Sequence, residues 1–117
     1  MSVKVTTHDN LSIAVMEPKG KIIGGEETDD LKAKVTDLLA QGNRKLVIDL
    51  SGVSYINSTG IGALVHIYTS YTNAGGKVKL SGMGKSVQNI FVITKLTSVF
   101  DTEETKDEAI KSFQAGS

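Results

Sequence analysis

A chain of 117 residues has the length of one ordinary domain, enough to bury a sizeable core and too little for a second. Thirteen basic residues against thirteen acidic ones leave no net charge and no long block of like charge, which puts nucleic acid at the bottom of the partner list. Cysteine is absent, so disulfides, thiol catalysis and thiolate metal sites are excluded, and the two histidines, His8 and His66, stand too far apart in sequence to suggest a metal centre.

Met1 to Asn10 alternate apolar and polar residues and include Lys4, His8 and Asp9, unlike the apolar core of a signal peptide. No run approaches the roughly 18 apolar residues of a membrane span. The expectation is a soluble cytoplasmic protein with no direct membrane insertion. The glycosylation-like triplets Asn10-Leu11-Ser12 and Asn57-Ser58-Thr59 carry no weight without secretion.

Val3 and Val5, then Leu11, Ile13 and Val15, follow the two-residue period of half-buried strands, with a polar break at His8 to Asn10, and predict an opening hairpin. Pro18 and Gly20 stop its second strand, and Lys21-Ile22-Ile23 forms a short extended piece ending at Gly24-Gly25. The acids Glu26, Glu27, Asp29 and Asp30 gather where a helix N-terminus carries partial positive charge. They lack EF-hand spacing and fit a solvated first turn. Leu31, Val35, Leu38 and Leu39 then share one helical face, ending near Gln41-Gly42. Leu46 to Leu50 is a nearly unbroken apolar run, the pattern of a strand covered on both faces at the sheet centre.

From Ser58 onward, Ile61, Leu64, Val65, Tyr68 and Tyr71 repeat at helical spacing until Asn73-Ala74-Gly75-Gly76. Lys77 to Leu80 returns as a strand, and Lys85 to Thr94 fits a helix with Val87, Ile90 and Phe91 on one face. A short strand is expected around Ser98 to Phe100. A last helix over Thr102 to Phe113 carries capping-box spacing at Thr105-Lys106-Asp107-Glu108. Alternating strands and helices predict an α/β fold with a mixed sheet.

Gly82-Met83-Gly84-Lys85-Ser86 has the look of a phosphate-binding loop but fails its count, because Lys79 stands where the first glycine is required. A turn and helix start is the better reading. His66 lies within the second helix with no acid spaced for a triad, and no nucleophile, base and orienting group can be named together, so no enzyme is expected. Neither metal nor cofactor is implied. The remaining segment runs from Asp49 through Ser51-Gly52-Val53-Ser54-Tyr55-Ile56 in a loop to Asn57-Ser58-Thr59-Gly60-Ile61-Gly62, a polar step opening an amphipathic helix. Asn57 or Ser58 fits an N-cap, worth about 1 kcal/mol and needing no further function. The same geometry also offers a solvent-facing serine whose phosphate would meet free N–H groups and the positive end of a helix.

This segment resembles the signature of STAS domains, named for sulfate transporters and anti-sigma factor antagonists, and especially the bacterial antagonists, which usually read aspartate-serine-serine/threonine-glycine-leucine-glycine where this chain has Asn57 to Gly62. The likeness spans nearly the whole chain, through Gly20, the Leu46 to Leu50 strand, Gly75-Gly76-Lys77, the Val87 to Phe91 helix and Thr94-Lys95-Leu96. It implies a single STAS-like domain over residues 1–117, with a four- or five-stranded mixed sheet flanked by about four helices. It also implies partner switching in transcription control, in which the unphosphorylated antagonist binds an anti-sigma factor serine kinase, the kinase phosphorylates it, and a PP2C-type phosphatase restores it. Ser58 occupies the phosphoacceptor position, with Thr59 as a possible second acceptor. Ile22, Ile23, Gly24, Asn57, Ser58, Thr59, Gly60 and Ile61 are the expected partner-binding residues. The chain departs from the family at Asn57, which stands for the usual aspartate and removes a charge, and at Lys21 to Gly25, where the usual acid after Gly20 is missing. The alternative is a non-phosphorylated STAS scaffold or an accessory subunit of a signalling complex or membrane transporter.

Overall fold

The strand Lys45–Asp49, formed by the Leu46 to Leu50 run, sends successive side chains into opposite layers, Leu46 and Ile48 to one side and Val47 to the other. The computed structural model describes residues 3–8 and 12–116. In it the strands are β1 (Val3–His8), β2 (Ile13–Pro18), β3 (Gly20–Ile22), β4 (Lys45–Asp49), β5 (Val53–Ile56), β6 (Lys77–Ser81) and β7 (Asp101–Glu103). The helices are α1 (Glu26–Ala40), α2 (Ser58–Asn73), α3 (Lys85–Ile93) and α4 (Lys106–Gln114). Five strands form one sheet in the order β1-β2-β4-β6-β7, with β4 at its centre as its apolar run predicts. Only the β1–β2 pair is antiparallel; β2–β4, β4–β6 and β6–β7 are parallel, so the sheet is mixed.

The sheet separates two apolar layers. On one side Ala14, Met16, Leu46, Ile48, Val78 and Leu80 meet Leu31 and Val35 of α1, Leu64, Ile67 and Tyr71 of α2, and Val87 and Phe91 of α3. On the other, Ile13, Val15 and Val47 meet Ala109, Ile110 and Phe113 of α4. The odd-even split along β2 and β4 follows from the two-residue period of a strand; β4 is covered on both faces as its apolar run predicts, whereas β2, expected half-buried, is also covered on both, because Ala14 and Met16 enter the layer opposite Ile13 and Val15.

His8 pairs with Ile13 and belongs to β1 rather than to the expected polar break; residues 9–11, with Leu11, lie outside the described residues. Between α3 and α4 the expected elements shift. The strand expected around Ser98 to Phe100 is instead a single 3-10 turn over Leu96–Ser98, entered through Lys95 at φ 61°, followed by β7 three residues later. Phe100 is needed in the core, where its ring lies 5.2 Å from that of Tyr68 and 5.8 Å from that of Phe91. The chain reaches the sheet edge only beyond it, where Asp101, Thr102 and Glu103 pair with Lys79, Leu80 and Ser81. The final helix therefore starts at Lys106 rather than Thr102, and Thr105 is its cap, its hydroxyl accepting from the Glu108 N–H at 3.1 Å. The capping-box spacing locates this helix start better than the apolar pattern does.

Two buried polar contacts fasten the ends of the sheet. At the carboxyl end of β4, the Asp49 carboxylate accepts from the hydroxyls of Ser81 at 2.9 Å and Ser51 at 2.5 Å, while Leu50 N–H donates to the Ser81 carbonyl. At the far end of α2, the Tyr71 hydroxyl donates to Asn43 Oδ1 at 2.8 Å. Burial holds the Tyr71 phenol well above its ordinary value of 10.0, against a smaller opposing effect of Arg44. Below that ordinary range the folded and unfolded chains are both protonated and stability is intact. As pH climbs past it only the unfolded chain releases the proton, so stability falls, by up to about 1.4 kcal/mol per pH unit. Tyr71→Phe should cost about 1 kcal/mol at pH 8. Its deficit relative to wild type should shrink or reverse by pH 11; urea unfolding at both values checks this, and a constant deficit would contradict it.

Candidate functional site

Asn57 occupies extended backbone, with φ −99° and ψ −176°, and its side-chain Oδ1 accepts from the Gly60 N–H at 2.9 Å. This is the N-cap that the sequence anticipates, and it sets the start of α2 at Ser58. The same carboxamide also reaches across to the neighbouring loop. Its Nδ2 donates to the Ile23 carbonyl at 3.1 Å, while the Asn57 backbone N–H donates to the Ile22 carbonyl at 3.3 Å. The start of α2 is thereby joined to the segment linking β3 to α1.

Close packing reinforces the junction. Gly60 lies so near the Ile22 backbone that a Cβ at this position would overlap the Ile22 carbonyl oxygen. Gly24 adopts φ +102° and presents its bare α-carbon to the Thr59 methyl, which an added Cβ would approach to 3.0 Å. Gly24 N–H in turn donates to Thr28 Oγ1 in the first turn of α1 at 2.8 Å. Ser58 and Thr59 remain exposed on this support, and the first turn of α2 contains no acid.

The expected partner-binding residues are therefore brought together, but not all at the surface. Ser58, Thr59 and Ile23 are exposed, and Asn57, Gly24 and Ile61 are half-buried. Ile22 and Gly60 are buried beneath them, so a direct partner contact is corrected to a supporting position: each is packed where the α2 terminus meets β3. Tyr55, 47% exposed, and Ile23, 43% exposed, are large apolar side chains left at the surface, on the strand that leads to Asn57 and on the loop that Asn57 holds. Tyr55 escapes the sequence reading because residues 53–56 read there as loop. They form β5, paired in parallel with β3 as a separate two-stranded sheet. The signal available was a Val-Tyr-Ile composition between Gly52 and Asn57.

His66 is exposed on α2. Gly82 to Gly84 form the turn into α3, with Gly82 at φ +67° directly beside the Asp49 carboxylate. Among the described residues no group of three His, Cys, Asp or Glu side chains is placed to hold a metal ion, and no helix is long and apolar enough to cross a membrane.

A family model for the STAS domain matches residues 2–109. The chain belongs to the STAS domain family. An anti-sigma-B factor antagonist of Bacillus subtilis is 31% identical over 81 residues, covering 69% of this chain and 73% of the relative. A Thermotoga maritima crystal structure superposes with a TM-score of 0.85 at 24% identity, over 94% of this chain and 92% of that one. The Bacillus cell fate determinant SpoIIAA in its phosphorylated form superposes with a TM-score of 0.75 at 16% identity, over 96% and 99% of the two chains. These structures share the fold: strands and helices alternate around a mixed five-stranded sheet with four helices.

The Gly60 contact in this STAS domain is with backbone, which no rotamer change can relieve. Gly60→Ala should destabilise the protein by about 3 kcal/mol or more, at the upper end of overpacking costs. Gly62→Ala, which meets nothing within 4 Å and replaces glycine inside a helix, should be neutral or stabilising. Thermal unfolding of the pair checks this; equal melting temperatures would contradict the close approach of α2 to β3.

Proposed function

We propose that this chain is an anti-sigma factor antagonist whose binding to an anti-sigma factor serine kinase is controlled by phosphorylation of Ser58. The observation that carries the reading is the position of Ser58: an exposed serine at the first residue of α2, on a capped turn that Asn57 ties to the loop carrying the exposed Ile23. The B. subtilis relative is named an anti-sigma-B factor antagonist, which supports the general role. SpoIIAA, of the same fold, has been solved phosphorylated, which supports the control by phosphate.

In this reading the chain is ligand and substrate, and the kinase supplies ATP and the catalytic groups. A PP2C-type phosphatase returns the phosphorylated form to the binding state, and the cycle runs in the cytoplasm. A phosphate on Ser58 brings a charge of about −1.5 to −2. Exposed at the start of α2, it sits at the favourable end of the helix dipole and leaves the fold intact. Covered by a partner that cannot pair it, the same charge costs several kcal/mol. About 4 kcal/mol moves an affinity from nanomolar to micromolar, so the charge is large enough to release the complex. Thr59 is placed less favourably as an acceptor because its methyl already packs on Gly24.

Capture from cell extract with the wild-type protein, read by mass spectrometry for both partner and phosphosite, should recover an ATP-dependent serine kinase and phosphate on Ser58. Ser58→Ala should keep the kinase and lose phosphate incorporation. Ser58→Glu should weaken binding, though less than phosphate does, because it carries a single charge. A kinase that phosphorylates Ser58→Ala at the wild-type rate, or that binds phosphorylated and unmodified protein equally, would refute the switch.

A further inference from the structure

The polar side chain beside Ser58 makes two contacts that a carboxylate cannot make together. Asn57 Oδ1 accepts from Gly60 N–H, and Asn57 Nδ2 donates to the Ile23 carbonyl. An ionised aspartate would keep the first contact and strengthen it at the helix terminus, but it has no proton for the second. It would set a negative oxygen against a carbonyl oxygen about where the amide now donates.

We propose that Asn57 is the positioning residue of the site: its amide group locks the Ile23–Gly25 loop to the serine turn, so that a partner meets both as one rigid surface. Three contacts converge on this loop. The amide holds Ile23 from the α2 side, the Thr59 methyl rests on Gly24, and Gly24 N–H is tied to Thr28 at the start of α1. Gly24 at φ +102° and Gly25 at φ +80° have wide conformational freedom, so the loop conformation has to be imposed by its neighbours. The backbone that carries the Ile23 side chain, exposed by 43%, is thereby held against Asn57 instead of sampling many positions. Pre-ordering it spares a partner the entropy of fixing a loop at association. Partner affinity then depends on an amide at position 57, and the partner matched to this chain is one that reads the loop in its clasped form.

The part of this inference that concerns the partner rests on the antagonist reading above; the part that concerns the loop does not. The test separates them. Amide exchange of the full-length protein, read at Gly24 without any partner, compares wild type with Asn57→Asp and Asn57→Ser. Both variants keep a capping oxygen: the aspartate has no proton to give Ile23, and the serine hydroxyl sits one bond nearer the backbone than the amide nitrogen that now reaches the Ile23 carbonyl. Gly24 exchange should accelerate at least about fivefold in both, the factor set by one ordinary hydrogen bond, while Ser58→Ala leaves it unchanged. Unaltered Gly24 exchange in both variants overturns the clasp. The affinity of a purified anti-sigma factor kinase from the same organism for unphosphorylated wild type and Asn57→Asp is then measured. A loss of about fivefold or more is expected, and equal affinity together with accelerated exchange overturns the claim that the partner reads the clasped loop. A kinase that fails to bind even wild type refutes the antagonist reading, and the exchange result still decides the clasp.

Discussion

The contact between α2 and β3 is close because Gly60 has no side chain, and the arrangement of the site follows from that approach. A Cβ at Gly60 would overlap the Ile22 carbonyl, so no other residue lets the first turn of α2 lie this near the strand. Once the turn is there, Asn57 is within reach of both Gly60 N–H and the Ile23 carbonyl, and the Thr59 methyl fills the space above Gly24. The two short strands of the satellite sheet extend the same junction: Ile22 pairs with Ile56 and is buried under the terminus it supports. Buried glycine and isoleucine thus shape a surface that they do not themselves present.

The site rests on a framework that is stiff for separate reasons. Central strand β4 has apolar layers on both faces, so its register is fixed twice. Its carboxyl end is tied to β6 and to the following turn through Asp49, whose two oxygens accept from Ser81 and Ser51. Between that anchored turn and Ser58 lie only β5 and Asn57. The chain therefore has little slack with which to move the serine.

Much of this was legible in the residues. The Leu46 to Leu50 run announces a central strand because burial on both faces leaves no place for polar alternation, and the polar step at Asn57 announces a helix start because capping chemistry is local. The elements that escaped depend on partners distant in sequence. Residues 53–56 form a strand alongside β3, and their four residues show no period long enough to be read alone. The stretch 95–103 shifted because Phe100 is claimed by Tyr68 and Phe91, a demand invisible in local propensity. At the site, Ser58 and Asn57 were identifiable by type and spacing. The burial of Ile22 and Gly60, the exposure of Tyr55 and the second hydrogen bond of Asn57 all required the fold.

The surroundings of Ser58 also bear on what kind of chemistry it can enter. A serine that attacks a substrate needs a base within hydrogen-bond reach to take its proton, and that base is usually oriented by a third group. Among the described residues no side chain hydrogen-bonds the Ser58 hydroxyl, and the polar atoms of its neighbour Asn57 are committed to Gly60 and Ile23. Nothing in the first turn of α2 is acidic, and His66, two turns further along the helix, faces solvent. Such a hydroxyl is a poor nucleophile on its own and an accessible one to an enzyme that brings its own base. The first turn of α2 contributes no acid of its own at this helix terminus, where the dipole favours negative charge. Ser58 thus stands exposed on a turn whose shape is held by the Asn57 side chain and by the close packing of Gly60 and Gly24.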